Sequence, residues 1–184
     1  MVRSLLLSLC LIHATGWAEA STALLDENMP SETDFLRVIQ LWPALDALEV
    51  NHPEVRHLRL VTEVHCDWSR HYHNWMSQTP SQSGYWQALE ALLHQEGLLP
   101  ETFVELSLKW MWPAVVHGQA KYQDLRERLP YWSDADQSQW AIEIDDFFRL
   151  HQLLDQCMSE AEKDLAQRLF AQVLASYPPG MTAQ

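Results

Sequence analysis

From Phe35 to Val173 the apolar residues of this chain recur at three- and four-residue steps, and no stretch alternates with period two for long enough to make a strand. That spacing commits the chain to helices, each with one apolar side to bury. The expected fold is all-α, a compact array of about six or seven short helices packed as an irregular or orthogonal bundle. The 184 residues suit one domain, and an apolar share of 47% is enough for a core built without metal or many disulfides.

Pro, Gly and capping residues punctuate the pattern. Ser31 with Asp34 opens a first helix carrying Phe35, Val38, Leu41, Trp42, Leu45 and Leu48, and Pro43 inside it predicts a kink or a break near Trp42. Pro53 suits the first turn of a second helix. The spacing of Leu58, Val61, His65, Trp68, Tyr72 and Trp75 carries that helix to about Met76. Residues 77–84 read as a loop, and a third helix with Tyr85, Leu89, Leu92 and Leu93 ends at Gly97. Pro100 starts a fourth with Phe103, Leu106, Trp110 and Met111, interrupted by Pro113; a short charged fifth covers 119–129. Ser133 caps a sixth, with Trp140, Ile144, Phe147, His151 and Leu154. Ser159 and Glu162 make a capping box for the seventh. The helical domain is thus 31–176, after a lead-in at 21–30 and before a frayed tail at 177–184. Residues 30–44 and 100–114 align at an offset of seventy, sharing Trp-Pro-Ala and Leu36 over Leu106; a duplicated helical hairpin would explain this, but five identities in fifteen positions with no continuation are equally the mark of coincidence.

The first twenty residues read as a signal peptide. Arg3 supplies the positive start, Leu5 to Ile12 the apolar stretch, and Ala18-Glu19-Ala20 a small-x-small cleavage site after Ala20. The apolar run is far short of the ~20 residues that span a bilayer, so no permanent membrane anchor is expected and the mature protein is periplasmic or secreted. Its formal net charge of −13 repels phosphate backbones and argues against nucleic acid as a partner. Nine acids between Asp134 and Asp164 stand against Arg149 and Lys163, a face that keeps the protein dissolved or docks a basic partner.

Removing the leader removes Cys10 and leaves Cys66 and Cys157. An even count in an oxidising compartment predicts one disulfide between them. On a helix spanning 53–76, Cys66 falls away from the apolar stripe, which speaks against a plain core thiol. On the same helix Glu63, Asp67 and His71 stack at four-residue steps, and Glu90 with His94 and His151 with Asp155 repeat the carboxylate–imidazole spacing on two others. Three such helices are one way to assemble a metal site in a bundle, although a carboxylate and a histidine four apart are also ordinary surface pairs. His65 and His151 lie within apolar stripes as core imidazoles, whereas His71 and His73 flank a loop and should titrate near pH 6.5.

No nucleophile elbow, glycine-rich phosphate loop or His-Glu-x-x-His occurs, and no cofactor is indicated. Trp110 and Trp112 are two apart, about 200° around a helix, so one of them belongs at a surface. Tyr131 and Trp132 follow Pro130 in an expected loop. Trp110, Trp112, Tyr131 and Trp132 are therefore the interface candidates. The expectation is an exported, soluble helical module that binds another envelope or secreted protein without catalysis. A metal-binding bundle and a small hydrolase of envelope glycans are the alternatives.

Overall fold

The computed structural model describes residues 29–79 and 84–175. Among them the chain is all-α, with seven helices, two 3-10 turns and no strand. The signal segment, most of the lead-in, the middle of the 77–84 loop and the tail beyond Ala175 lie outside the described residues. The helices are α1 (Glu32–Asn51), α2 (Trp68–Ser77), α3 (Tyr85–Gln95), α4 (Pro100–Lys109), α5 (Trp112–Arg128), α6 (Asp134–Cys157) and α7 (Glu160–Ala175). The 3-10 turns are Pro53–His57 and Leu129–Tyr131.

Most of the ends form by the chemistry the residues predict. Ser31 accepts from the Asp34 amide at 3.3 Å and donates its own amide to the Asp34 carboxylate at 2.9 Å. Ser159 and Glu162 make the same reciprocal box at the start of α7, and Ser133 caps α6 through the Asp136 amide. Gly97, at φ 66°, ends α3 with its amide on the His94 carbonyl while Leu98 reaches back to Leu93 at 2.9 Å. That left-handed position favours glycine, and the turn buries Leu98 against Leu93.

Helix α4 is the centre of the array and touches α1, α2, α3, α6 and α7. Phe103, Val104, Leu106, Leu108 and Lys109 are all buried, so α4 is covered nearly all round rather than on one stripe. Helix α5 packs on α6 and α7, and α1 on α3 and α4.

Three expectations are corrected. First, Pro43 breaks nothing: α1 runs through it without interruption. The Pro43 ring is exposed, so the carbonyl bond it forgoes falls on the solvent side, where water can take it. Second, no helix spans 53–76. A 3-10 turn ends at His57, residues 58–67 run as an irregular strap, and α2 begins only at Trp68. Val61, Thr62 and Val64 are β-branched and resist helix, and Asp67 caps α2 by accepting from the Arg70 amide at 3.2 Å. Third, α5 is much longer than 119–129, because Pro113 sits in its first turn and starts it rather than stopping it. The two Trp-Pro-Ala copies do not share a backbone. One lies inside continuous α1, and the other follows a two-residue break at Trp110-Met111.

Cys66 and Cys157 are bridged, with Cα atoms 5.4 Å apart. The bridge joins the strap, not a helix face, to the last residue of α6. The wheel position predicted for Cys66 was therefore wrong even though the pairing was right. Arg59 reinforces the same attachment by pairing with Asp145 and Asp146 on α6, and Arg149 donates to the Thr62 carbonyl at 2.9 Å.

Candidate functional site

The strap owes its course to side chains that replace the backbone bonds a helix would have supplied. The Trp75 indole donates to the Leu60 carbonyl at 2.8 Å, and Gln78 bonds both the amide and the carbonyl of Arg59. Held this way, Leu58 and Leu60 form one wall of a groove of about 170 Å³. Helix α1 supplies the facing wall with Trp42, Leu45, Asp46 and Glu49. Trp75 of α2, Tyr85, Trp86 and Leu89 of α3, and Phe103 and Leu108 of α4 complete it.

The aromatic walls are held by more than packing. Trp86 donates its indole N–H to the Thr79 hydroxyl and meets Tyr85 and Tyr72 edge-to-face at 5.0 and 5.7 Å. Tyr72 in turn donates to Glu90 at 2.8 Å; burial, and then that carboxylate, push the phenol up. Trp42 stands edge-on to the buried Trp110 at 6.5 Å. A groove whose rings are already fixed loses little side-chain entropy when something enters.

Two polar features interrupt this apolar lining. The Ser107 hydroxyl is buried without a hydrogen-bond partner among the described residues. Asp46 is half-buried on the α1 wall, and burial pushes its carboxyl up from the ordinary value. No hydrogen bond or ion pair engages it among the described residues. A carboxylate four residues beyond Trp42, inside the Leu41–Trp42–Leu45–Leu48 stripe, is the sequence signal for this site.

The interface candidates divide. Trp110 is 1% exposed, packed against Phe35, Trp42 and Phe170, and is withdrawn as a surface anchor. The turn at Trp110-Met111 sends Trp112 to another side of the bundle, half-buried against the His151 ring and the Lys163 ammonium. Trp132 is half-buried and edge-on to Trp140, while Tyr131 is 88% exposed.

The carboxylate–histidine residues are not brought together, and among the described residues no group of three or more His, Cys, Asp or Glu is placed to hold a metal. Glu63 sits on the strap and pairs with Arg70 and His65. Asp67 is the α2 cap, its carboxyl held down by the Ser69 hydroxyl and the Arg70 amide. Glu90 takes the Tyr72 bond, His94 is exposed on α3, and Asp155 is held down by Lys163. His71 is buried rather than loop-flanking: its Nε2 bonds the His65 carbonyl at 2.8 Å, and burial pushes its pKa below the usual value. It is therefore withdrawn as a group titrating near pH 6.5. The acidic stretch is also less free than its composition suggests. Asp145, Asp146, Asp155, Glu160 and Glu162 are all paired to Arg59, Arg149, Lys163 or Lys109.

No family model, curated protein or solved structure matches the chain.

Proposed function

We propose that this chain is an exported helical module that binds another envelope or secreted protein, and that the partner docks through the groove between α1 and the strap. The single observation that carries this reading is the groove's size and lining. Pockets for drug-sized ligands run to roughly 300–1,000 Å³. About 170 Å³, walled by three indoles and by leucines, suits one large side chain of a partner. Anchors of that kind, seated in preformed apolar pockets, supply most of the energy at protein interfaces. The signal-like leader and a disulfide suited to an oxidising compartment support export. No helix among the described residues is long and apolar enough to cross a membrane.

A glycan hydrolase has one observation in its favour, because Asp46 and Glu49 both line a Trp-walled groove. Glycoside hydrolysis needs carboxyl groups flanking the scissile bond from two sides. Here both leave the same face of one helix, three residues apart, and the remaining lining is almost wholly apolar.

The test is a photo-crosslinker at Glu49 in mature protein returned to its own envelope fraction. A discrete adduct is expected, and Leu45→Trp, which fills the groove, should abolish it without altering the circular dichroism spectrum. The same adducts from both proteins would refute docking through the groove.

A further inference from the structure

The groove is apolar, yet its α1 wall carries a carboxylate with no hydrogen bond or ion pair among the described residues. Elsewhere the acids of this protein are widely used internally. Arg59 takes Asp145 and Asp146, Lys163 takes Asp155 and Glu160, and the buried Lys109 takes Glu105 and Glu162. Asp46 has no such partner among the described residues and lines the groove, half-buried beside Trp42 and Leu45. A buried or half-buried carboxylate without a counter-charge costs free energy that a cation would recover. The indole and phenol faces around it also favour a cation over a neutral group.

We infer that the groove reads a basic–aromatic pair, one phenyl-sized aromatic side chain seated among Trp42, Trp75 and Trp86 with a neighbouring lysine or arginine of the same partner on Asp46. This deepens the docking reading above and rests on it. Size decides the first half. A cavity of about 150 Å³ lined by aliphatic and aromatic side chains takes up a benzene ring, so about 170 Å³ has room for one ring. Charge decides the second. With a net charge of −13 the chain draws basic partners from a distance, and of the two carboxylates lining the groove, Asp46 and Glu49, Asp46 is the one with no hydrogen bond or ion pair among the described residues to compete for the cation. Burial that raises the Asp46 carboxyl reports the same unpaired environment.

Three probes share a phenylethyl body and carry a cationic, a neutral or an anionic head group: phenethylamine, 2-phenylethanol and 3-phenylpropionate. Their dissociation constants are measured on the mature protein by ligand-detected NMR and by quenching of tryptophan emission. The amine should bind roughly tenfold tighter than the alcohol, as one charge-assisted contact provides, and the acid most weakly. Asp46→Asn should bring the amine to the alcohol's value while leaving the alcohol unmoved, and Leu45→Trp should abolish all three. Equal affinity for amine and alcohol, or a preference that survives Asp46→Asn, would overturn the charge selection and leave docking through the groove standing. Absence of binding by every probe to folded protein would overturn the socket, and the docking reading with it.

Discussion

Replacing the bridge by Cys66→Ser with Cys157→Ala tests how the strap is held and how much the cross-link contributes. The two cysteines are separated by 91 residues. Closing a loop of that length removes about 15.5 cal/mol/K of entropy from the unfolded chain, or about 4.6 kcal/mol near room temperature. In the folded protein the strap keeps its other attachments. Arg59 still holds Asp145 and Asp146, Arg149 still holds the Thr62 carbonyl, and Trp75 still holds the Leu60 carbonyl. The loss should therefore act on the unfolded chain and leave the groove in place. At about 2–4 °C per kcal/mol for a domain of this size, the melting temperature should fall by roughly 9–18 °C. The urea m-value should rise, because an uncrosslinked unfolded chain exposes more surface. Thermal and urea melts of the oxidised parent and the double variant supply both numbers, with probe binding as the check on the groove. A fall of less than about 3 °C with an unchanged m-value would refute the loop-closure reasoning. Two free thiols titrated in denatured, unreduced parent protein would remove the bridge altogether.

Lys109→Met leaves the Glu162 carboxylate buried without its cation and should cost about 3–5 kcal/mol at neutral pH. Burial alone would raise the Glu162 carboxyl, but the bonds from Lys109 and Ser159 outweigh it and hold it below its ordinary 4.5. Its stabilisation is thus present above pH 4.5 and lost as pH falls through the lower folded value. Urea midpoints of parent and variant should converge on acidification, and a gap that stays constant would be the contrary result. Gly118→Ala adds a Cβ 2.9 Å from the Phe147 ring, which is stacked on Tyr122 at 3.9 Å. Overpacking of about 1–3 kcal/mol should exceed the gain in helix propensity of roughly 1 kcal/mol, so the variant should melt lower; a melting temperature equal to or above the parent's contradicts this. Full-length protein expressed in a Gram-negative host should be recovered from the periplasm or medium with Ser21 at its N-terminus. Intact Met1 on cytoplasmic protein would end the export reading.

What the sequence by itself determined was local or arithmetical. Ser31 with Asp34, Ser133, and Ser159 with Glu162 start helices because a short polar side chain meets an amide within one turn. Gly97 ends α3 because its backbone needs a positive φ. The cysteine pairing followed from counting the thiols left after a leader, and it held although Cys66 lies on a strap and not on the expected helix. Tertiary structure decided everything that depends on a neighbour far along the chain. The apolar spacing through 58–75 fits a helix, but Asp145, Asp146 and Arg149 of α6 and Trp75 and Gln78 of α2 satisfy residues 58–67 as a strap instead. Trp-Pro-Ala stays inside α1 in one copy and follows a break in the other. Pro43 faces solvent on a continuous surface helix, whereas Trp110 is drawn into the core between Phe35 and Phe170 and turns the chain there. The groove forms only when the strap, α1, α2, α3 and α4 meet. Asp46 reads in sequence as one more acid of a helix, and it becomes an unpaired carboxylate on the wall of an apolar groove only because long-range packing brings the strap, α2, α3 and α4 opposite it.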